Sequence, residues 1–194
     1  APLNIEKKIF PNISQGKLKA VNAIVLHRTG GGTAQSTLHA YENAKVGAHF
    51  LIDRDGTVYQ TLETTDKGAH VGKLRPRCLV EGSGSLEERN AAAAIRDNPN
   101  EKSFSRKVSE LHRLEMKKPY PDRYPSNDDS IGIEVVGRFL ASADEFEPAT
   151  EKQKEALSLL ISKLMREHSL AVTDLYKHYQ ISYKSGNEGE GLGY

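Results

Sequence analysis

The sequence predicts a single α/β domain. Three observations carry that prediction. Residues 21–26 and 130–136 are short β-branched runs, residues 150–168 have apolar positions at helical spacing, and strand-like and helix-like segments alternate with no internal repeat. At 194 residues the chain is long enough for one domain to bury its own core.

Taken in order, residues 1–20 are polar and broken by Pro11 and Gly16, and read as an arm or leading loop. Val21-Asn22-Ala23-Ile24-Val25-Leu26 is a buried-strand pattern that ends at His27. Thr29-Gly30-Gly31-Gly32 breaks it, and Thr33 caps a helix running through about Tyr41. Residues 48–53 and 57–62 form a hairpin around Arg54-Asp55-Gly56, where Asp-Gly supplies the turn chemistry. Residues 73–129 differ in kind. They hold a Gly/Ser loop at 82–84, an Ala-rich helix near 85–96, a second helix near 104–117, and a loop at 118–129 with Pro119, Pro121 and Pro125. This stretch reads as an insertion decorating a domain of residues 21–194, without a core of its own. Ser130-Ile131-Gly132-Ile133-Glu134-Val135-Val136 is a central strand. Thr150 then caps a helix to His168 whose apolar positions are Ala156, Leu157, Leu160, Ile161 and Leu164. Residues 171–176 are the last strand, and they feed His178.

Bulk properties exclude several classes. A formal charge of +1, from 27 Lys plus Arg against 26 Asp plus Glu, offers no electrostatic case for nucleic acid. The longest apolar run, residues 23–26, is far too short to span a bilayer, so a soluble protein is expected. Cys78 is the only cysteine, which rules out an intrachain disulfide and a Cys-based zinc framework. Any metal must be held by His, Asp or Glu. The missing disulfides argue against a fold matured for long extracellular life. The Ala1-Pro2 start fits initiator removal, a cleaved signal peptide or trimming equally well.

Four features carry chemistry. His27 follows the first strand and His178 the last, and strand ends are where an α/β sheet presents ligands and catalytic groups. Neutral imidazole is the commonest zinc ligand. Taken alone, each histidine fits a structural or exposed role more readily than a ligand's. Glu134 interrupts an apolar strand. Either it faces solvent, or it is buried against a metal, a partner or a proton it must hold. The Gly-rich tail from His178 to Gly191 contains Lys184, Glu188 and Glu190. It reads either as a frayed terminus or as a loop that folds its carboxylates back onto one metal.

At these residues the chain resembles the type 2 N-acetylmuramoyl-L-alanine amidases, which include AmpD-like enzymes, T7-type phage lysozymes and peptidoglycan recognition proteins. The resemblance rests on residues 23–29 (AIVLHRT), on HFLIDRDGTVYQ from His49 with the Gly47-Ala48 before it, on SIGIEVVG from Ser130, and on the tail from His178. It implies a central mixed β-sheet flanked by helices, with a helical and loop insertion between the hairpin and the SIGIE strand. It implies Zn2+ held by His27, His178 and Glu188, with Glu190 as the alternative third ligand. Glu134 matches the general base and Lys184 the oxyanion-stabilising lysine. Thr29, His49 and His70 fall in matched segments as groove residues, His49 reading as core or behind the ligands and His70 as lining the groove. Ala48 stands where T7-type amidases carry a catalytic tyrosine, which sides with the AmpD-like branch. His39, His112 and His168 lie on predicted helices and read as surface residues.

The implied activity is zinc-dependent hydrolysis of the amide between N-acetylmuramic acid and L-alanine, in peptidoglycan or muropeptides. The alternative is a non-catalytic peptidoglycan-binding module of the same fold. A recycling enzyme in the cytoplasm, a periplasmic or secreted autolysin, a phage lysin and an antibacterial effector would share these motifs. An effector would add a cognate immunity or delivery protein as partner.

Overall fold

A computed structural model describes residues 2–183, 188–189 and 191–194. Among these, backbone pairing gathers seven strands into one mixed sheet. In chain order they are β1 (Ile5–Lys7), β3 (Ala23–Gly30), β4 (Phe50–Ile52), β5 (Val58–Gln60), β7 (Ser130–Leu140), β8 (Glu145–Phe146) and β9 (Leu175–Lys177). The numbering leaves β2 (Ser14–Lys17) and β6 (Asp66–Gly68) for a separate antiparallel pair. Across the main sheet the order is β1-β5-β4-β7-β3-β9, with β8 folded back on the far end of β7. β4, β7, β3 and β9 are mutually parallel, while β4 and β5 form the expected antiparallel hairpin. Its turn closes through Gly56 N–H to Asp53 O, with Gly56 at φ +86.

Side chains alternate across β3 and β7, and the two sets have separate fates. Ile24, Leu26, Ile131, Ile133 and Val135 pack against helix α5 (Glu151–His168) through Leu157, Leu160, Ile161 and Leu164. Each such fully buried aliphatic is worth about 2 kcal/mol in transfer free energy. Thr150 starts α5 with a reciprocal cap: its side chain accepts Gln153 N–H while the Gln153 side chain accepts Thr150 N–H. On the other face, Ala23 and Val25 meet Val71, Leu74, Tyr124, Tyr176 and Ile181. That face carries the site.

Helix α1 (Ala34–Tyr41) is capped by Thr33, as its sequence predicts. The insertion folds into α2 (Arg77–Glu81), α3 (Leu86–Arg96) and α4 (Phe104–Met116), the last two starting at Ser85 and Ser103 caps. It buries a small apolar cluster of Cys78, Ala92 and Leu111, which Tyr183 ties to the C-terminal segment. Glu115, fully buried, holds this layer together by accepting Arg77 N–H at 3.0 Å and pairing with Lys118 at 2.7 Å.

Three expectations change. Residues 1–20 carry β1 and β2 rather than only a loop, because three- and four-residue edge strands pair by backbone alone and leave little apolar pattern. The last strand begins only at Leu175: the Asp174 carboxylate accepts Ala171 N–H and winds residues 172–174 into a 3₁₀ turn. β3 continues to Gly30, so His27 lies inside the strand, because β7 keeps pairing with it beyond that point.

Candidate metal centre

Strand register brings the chemistry together. His27 on β3 pairs with Glu134 on β7, and Leu26 pairs with Lys177 on β9. The next residue along, His178, opens helix α6 (His178–Ile181) beside His27. Neighbouring strands run about 4.8 Å apart, so β3 and β7 present His27 and Glu134 at one level of one face, with His178 just past the end of β9. Glu188 arrives from the tail. Tyr179 N–H donates to Glu188 O at 3.3 Å, Ala149 N–H donates to Gly191 O at 2.9 Å, and Leu192 is buried in the core beneath α5.

The three side chains converge tightly. His27 Nδ1 and His178 Nδ1 are 2.9 Å apart, and Glu188 Oε1 lies 2.9 Å from the second and 3.4 Å from the first. Both imidazoles are buried. Tetrahedral zinc with bonds of about 2.0–2.1 Å separates its ligand atoms by roughly 3.3 Å, so this trio has the right spacing. Burial works to raise the Glu188 carboxyl pKa, but hydrogen bonds and charge from His178 and His27 outweigh it and bring it down to about 2.

The proton count points the same way. Ser126 O can only accept, so the Ser130 hydroxyl donates to it at 2.6 Å. Ser130 Oγ then accepts from His70 Nε2 at 3.3 Å, which leaves His70 Nδ1 as an acceptor for His27 Nε2–H at 2.9 Å. His178 Nε2–H donates to Val71 O at 2.7 Å. With both Nε2 protons so placed, the two neutral Nδ1 atoms would turn lone pairs towards Glu188; the hydrogen bonds that lower its pKa need a proton between these atoms, and a divalent cation would take that proton's place. Three electron-pair donors facing one another is the arrangement a divalent cation satisfies, and the outer hydrogen bonds are those that fix ligand tautomer and ring orientation.

His70 suits its place. Burial above all, with the neighbouring imidazoles, holds its pKa well below the ordinary histidine value, so it is neutral and able to accept. It lies against Gly132, where a Cβ would stand 2.6 Å from its Nδ1. His49 sits deeper than a groove residue can. It is fully buried, donates from Nε2 to Asp66 O at 2.7 Å and accepts Gly132 N–H on Nδ1 at 3.0 Å. Burial lowers its pKa to about 4. With both ring nitrogens engaged beneath His70, it braces the site from behind and has no face on the pocket.

The pocket itself is about 470 Å³ and is lined by His27, His70, His178, Glu134 and Glu188 together with Thr29, Tyr41, Phe139 and Phe146. Glu134 therefore faces the pocket, not open solvent. Lys184 and Glu190 lie outside the described residues. Among the other histidines, His39 is exposed, whereas His112 is half-buried and accepts Leu74 N–H at 3.0 Å, tying α4 to the site loop. Tyr41 was not foreseen. Its hydroxyl accepts Ala48 N–H at 3.1 Å, and burial followed by the Glu134 charge raises its pKa. The relay through Ser130 and Ser126 and the phenyl pair were also missed, because none of them follows a motif spacing.

Residues 17–189 match the profile of the Amidase_2 family, described as N-acetylmuramoyl-L-alanine amidase. No curated protein sequence matches the chain. Solved structures share its fold. A selenomethionine AmpD derivative aligns at TM-score 0.56 and 16% identity, over 96% of this chain and 88% of its own. The endolysin N-acetylmuramoyl-L-alanine amidase LysCS from Clostridium intestinale aligns at 0.55 and 17%, over 97% and 90%. A mutant endolysin from Bacillus subtilis aligns at 0.53 and 20%, over 91% and 84%.

Proposed function

Because the chain belongs to the type 2 N-acetylmuramoyl-L-alanine amidase family, we propose that it is a zinc-dependent hydrolase cutting the amide between N-acetylmuramic acid and L-alanine in peptidoglycan or muropeptides. The observation that carries the zinc dependence is the convergence of His27 Nδ1, His178 Nδ1 and Glu188 Oε1 within 3.4 Å of one another. Within the family, Ala48 and the pocket-facing Glu134 favour the AmpD-like branch.

His27, His178 and Glu188 would hold the ion, oriented from behind by His70 and Val71 O. A zinc ion so held supplies Lewis acidity, polarising a carbonyl and bringing the pKa of water toward neutrality. Glu134, next to His27 across the β3–β7 ladder, takes the proton of the attacking water and returns it to the departing L-alanine amine. Lys184 neutralises the oxyanion as it forms. Thr29 and His70 shape the groove beside the scissile bond.

The test is digestion of purified sacculi with identification of the released peptide, alongside measured zinc stoichiometry. Wild-type protein should carry one zinc per chain and release stem peptides beginning at L-alanine. Glu134→Gln should keep that zinc and lose roughly 10²–10⁴-fold in rate, the usual scale of a general acid–base group. Zinc stoichiometry near zero, or undiminished release by the variant, would overturn the reading in favour of a binding module or a different base.

A further inference from the structure

One flank of the pocket is built by a device that the hydrolytic chemistry leaves without a task. β7 runs past Glu134 to Leu140, but its alternation breaks once. Arg28 pairs with Val135 and Gly30 with Arg138, so β7 advances three residues while β3 advances two. Such a bulge re-aims the side chains beyond it. Before it, Gly132 lies under His70 and Glu134 faces the pocket; beyond it, the odd-numbered Phe139 does.

The bulge is anchored. Gly137 N–H donates to Thr29 Oγ1 at 3.3 Å, and a Cβ on Gly137 would fall 1.9 Å from Arg28 Nη2. That guanidinium donates to Val135 O at 3.3 Å and Glu147 O at 2.8 Å. Opposite Phe139 on the β7–β8 ladder is Phe146, the rings edge to face with centroids 5.2 Å apart, and Arg28 lies over the Phe146 ring at 5.6 Å. Phe139 is 39% exposed, and Val46 on the same rim is 54% exposed. The result is an anchored phenyl ledge, with the Arg28 guanidinium behind Phe146, continuous with a charged reaction centre.

We propose that this ledge is the glycan subsite: it receives the C–H face of an N-acetylated pyranose on the sugar side of the scissile bond. The proposal rests on the amidase reading above. The amide to be cut separates a neutral sugar from a peptide bearing carboxylates. Carboxylates gain from reachable cations: on the ledge side Arg28 is buried and turned to Val135 O and Glu147 O, whereas on the His178 flank Lys73 lines a separate hollow of about 390 Å³ just beyond Val71. The neutral half falls to the phenyl ledge, because the slightly positive C–H edge of a pyranose complements the negative face of an aromatic ring.

Two substrates separate the possibilities: a disaccharide-tripeptide containing N-acetylmuramic acid, and the same tripeptide carrying only the D-lactoyl group. Phe139→Ala should lower kcat/KM about tenfold on the first, the scale of one aromatic contact, and leave the second within twofold. Phe139→Trp should restore the first. Phe139 is partly exposed, so its truncation spares the core, and unchanged thermal unfolding checks this. Equal losses on both substrates, or no loss on either, would overturn the ledge while leaving the amidase reading intact. Wild-type protein that cleaves neither substrate would instead remove the amidase reading, and the ledge with it.

Discussion

At the scale of single residues, the centre depends on what lies one shell behind the donors. His70 accepts from His27 only because it is neutral, and it reaches His27 only because Gly132 leaves room for its ring. Replacing Gly132 with Ala would set a methyl 2.6 Å from His70 Nδ1 and push the ring off the His27 hydrogen bond. The expected result is zinc affinity weakened roughly 10–100-fold, the usual effect of losing an outer-shell partner, while the fold survives. Competition with a chelating dye measures it, and unchanged affinity would show that His70 does not orient His27. The glycine in the SIGIE run is thus explained by a contact with residue 70, which no local pattern announces.

At the scale of elements, the third donor is the one with least support from the sheet. His27 is fixed by strand pairing and His178 follows directly on the paired Lys177, whereas Glu188 hangs on the tail. Its anchors are the Ala149–Gly191 hydrogen bond and Leu192, 1% exposed within the α5 core. Truncating Leu192 to Ala removes the apolar anchor and leaves the ligands untouched. It should cost about 2–5 kcal/mol in stability, as buried leucines do. It should also weaken zinc binding several-fold, read by isothermal titration well below the unfolding midpoint. Loss of stability with zinc affinity intact would mean the tail is held by its hydrogen bonds alone.

For the whole molecule, the proposed ion is a cross-link between β3, α6 and the tail, its two imidazoles lying 151 residues apart in the chain. No described helix is long and apolar enough to cross a membrane. Binding to the folded state alone stabilises it by mass action, about 2.7 kcal/mol when free zinc stands a hundredfold above Kd. For a domain of this size that is roughly 5–10 °C in Tm. Stripping the metal with a chelator should lower Tm by that amount, and adding zinc back should restore it. A midpoint indifferent to both treatments would deny the cross-link.

The sequence by itself determined the alternation of strands and helices and the caps at Thr33 and Thr150, which are written in local periodicity and short motifs, and its family resemblance pointed to His27, His178 and Glu188 as the converging donors. Tertiary structure alone decided that His70 is the acceptor behind His27 and that Phe139 shares a wall with Glu134, and it chose the buried reading of His49 over the groove one. The physical reason is register. Strand side chains repeat every two residues, so one extra residue in β7, or one step in its pairing with β3, exchanges which face a side chain occupies. That pairing joins segments about a hundred residues apart, beyond the reach of any local pattern.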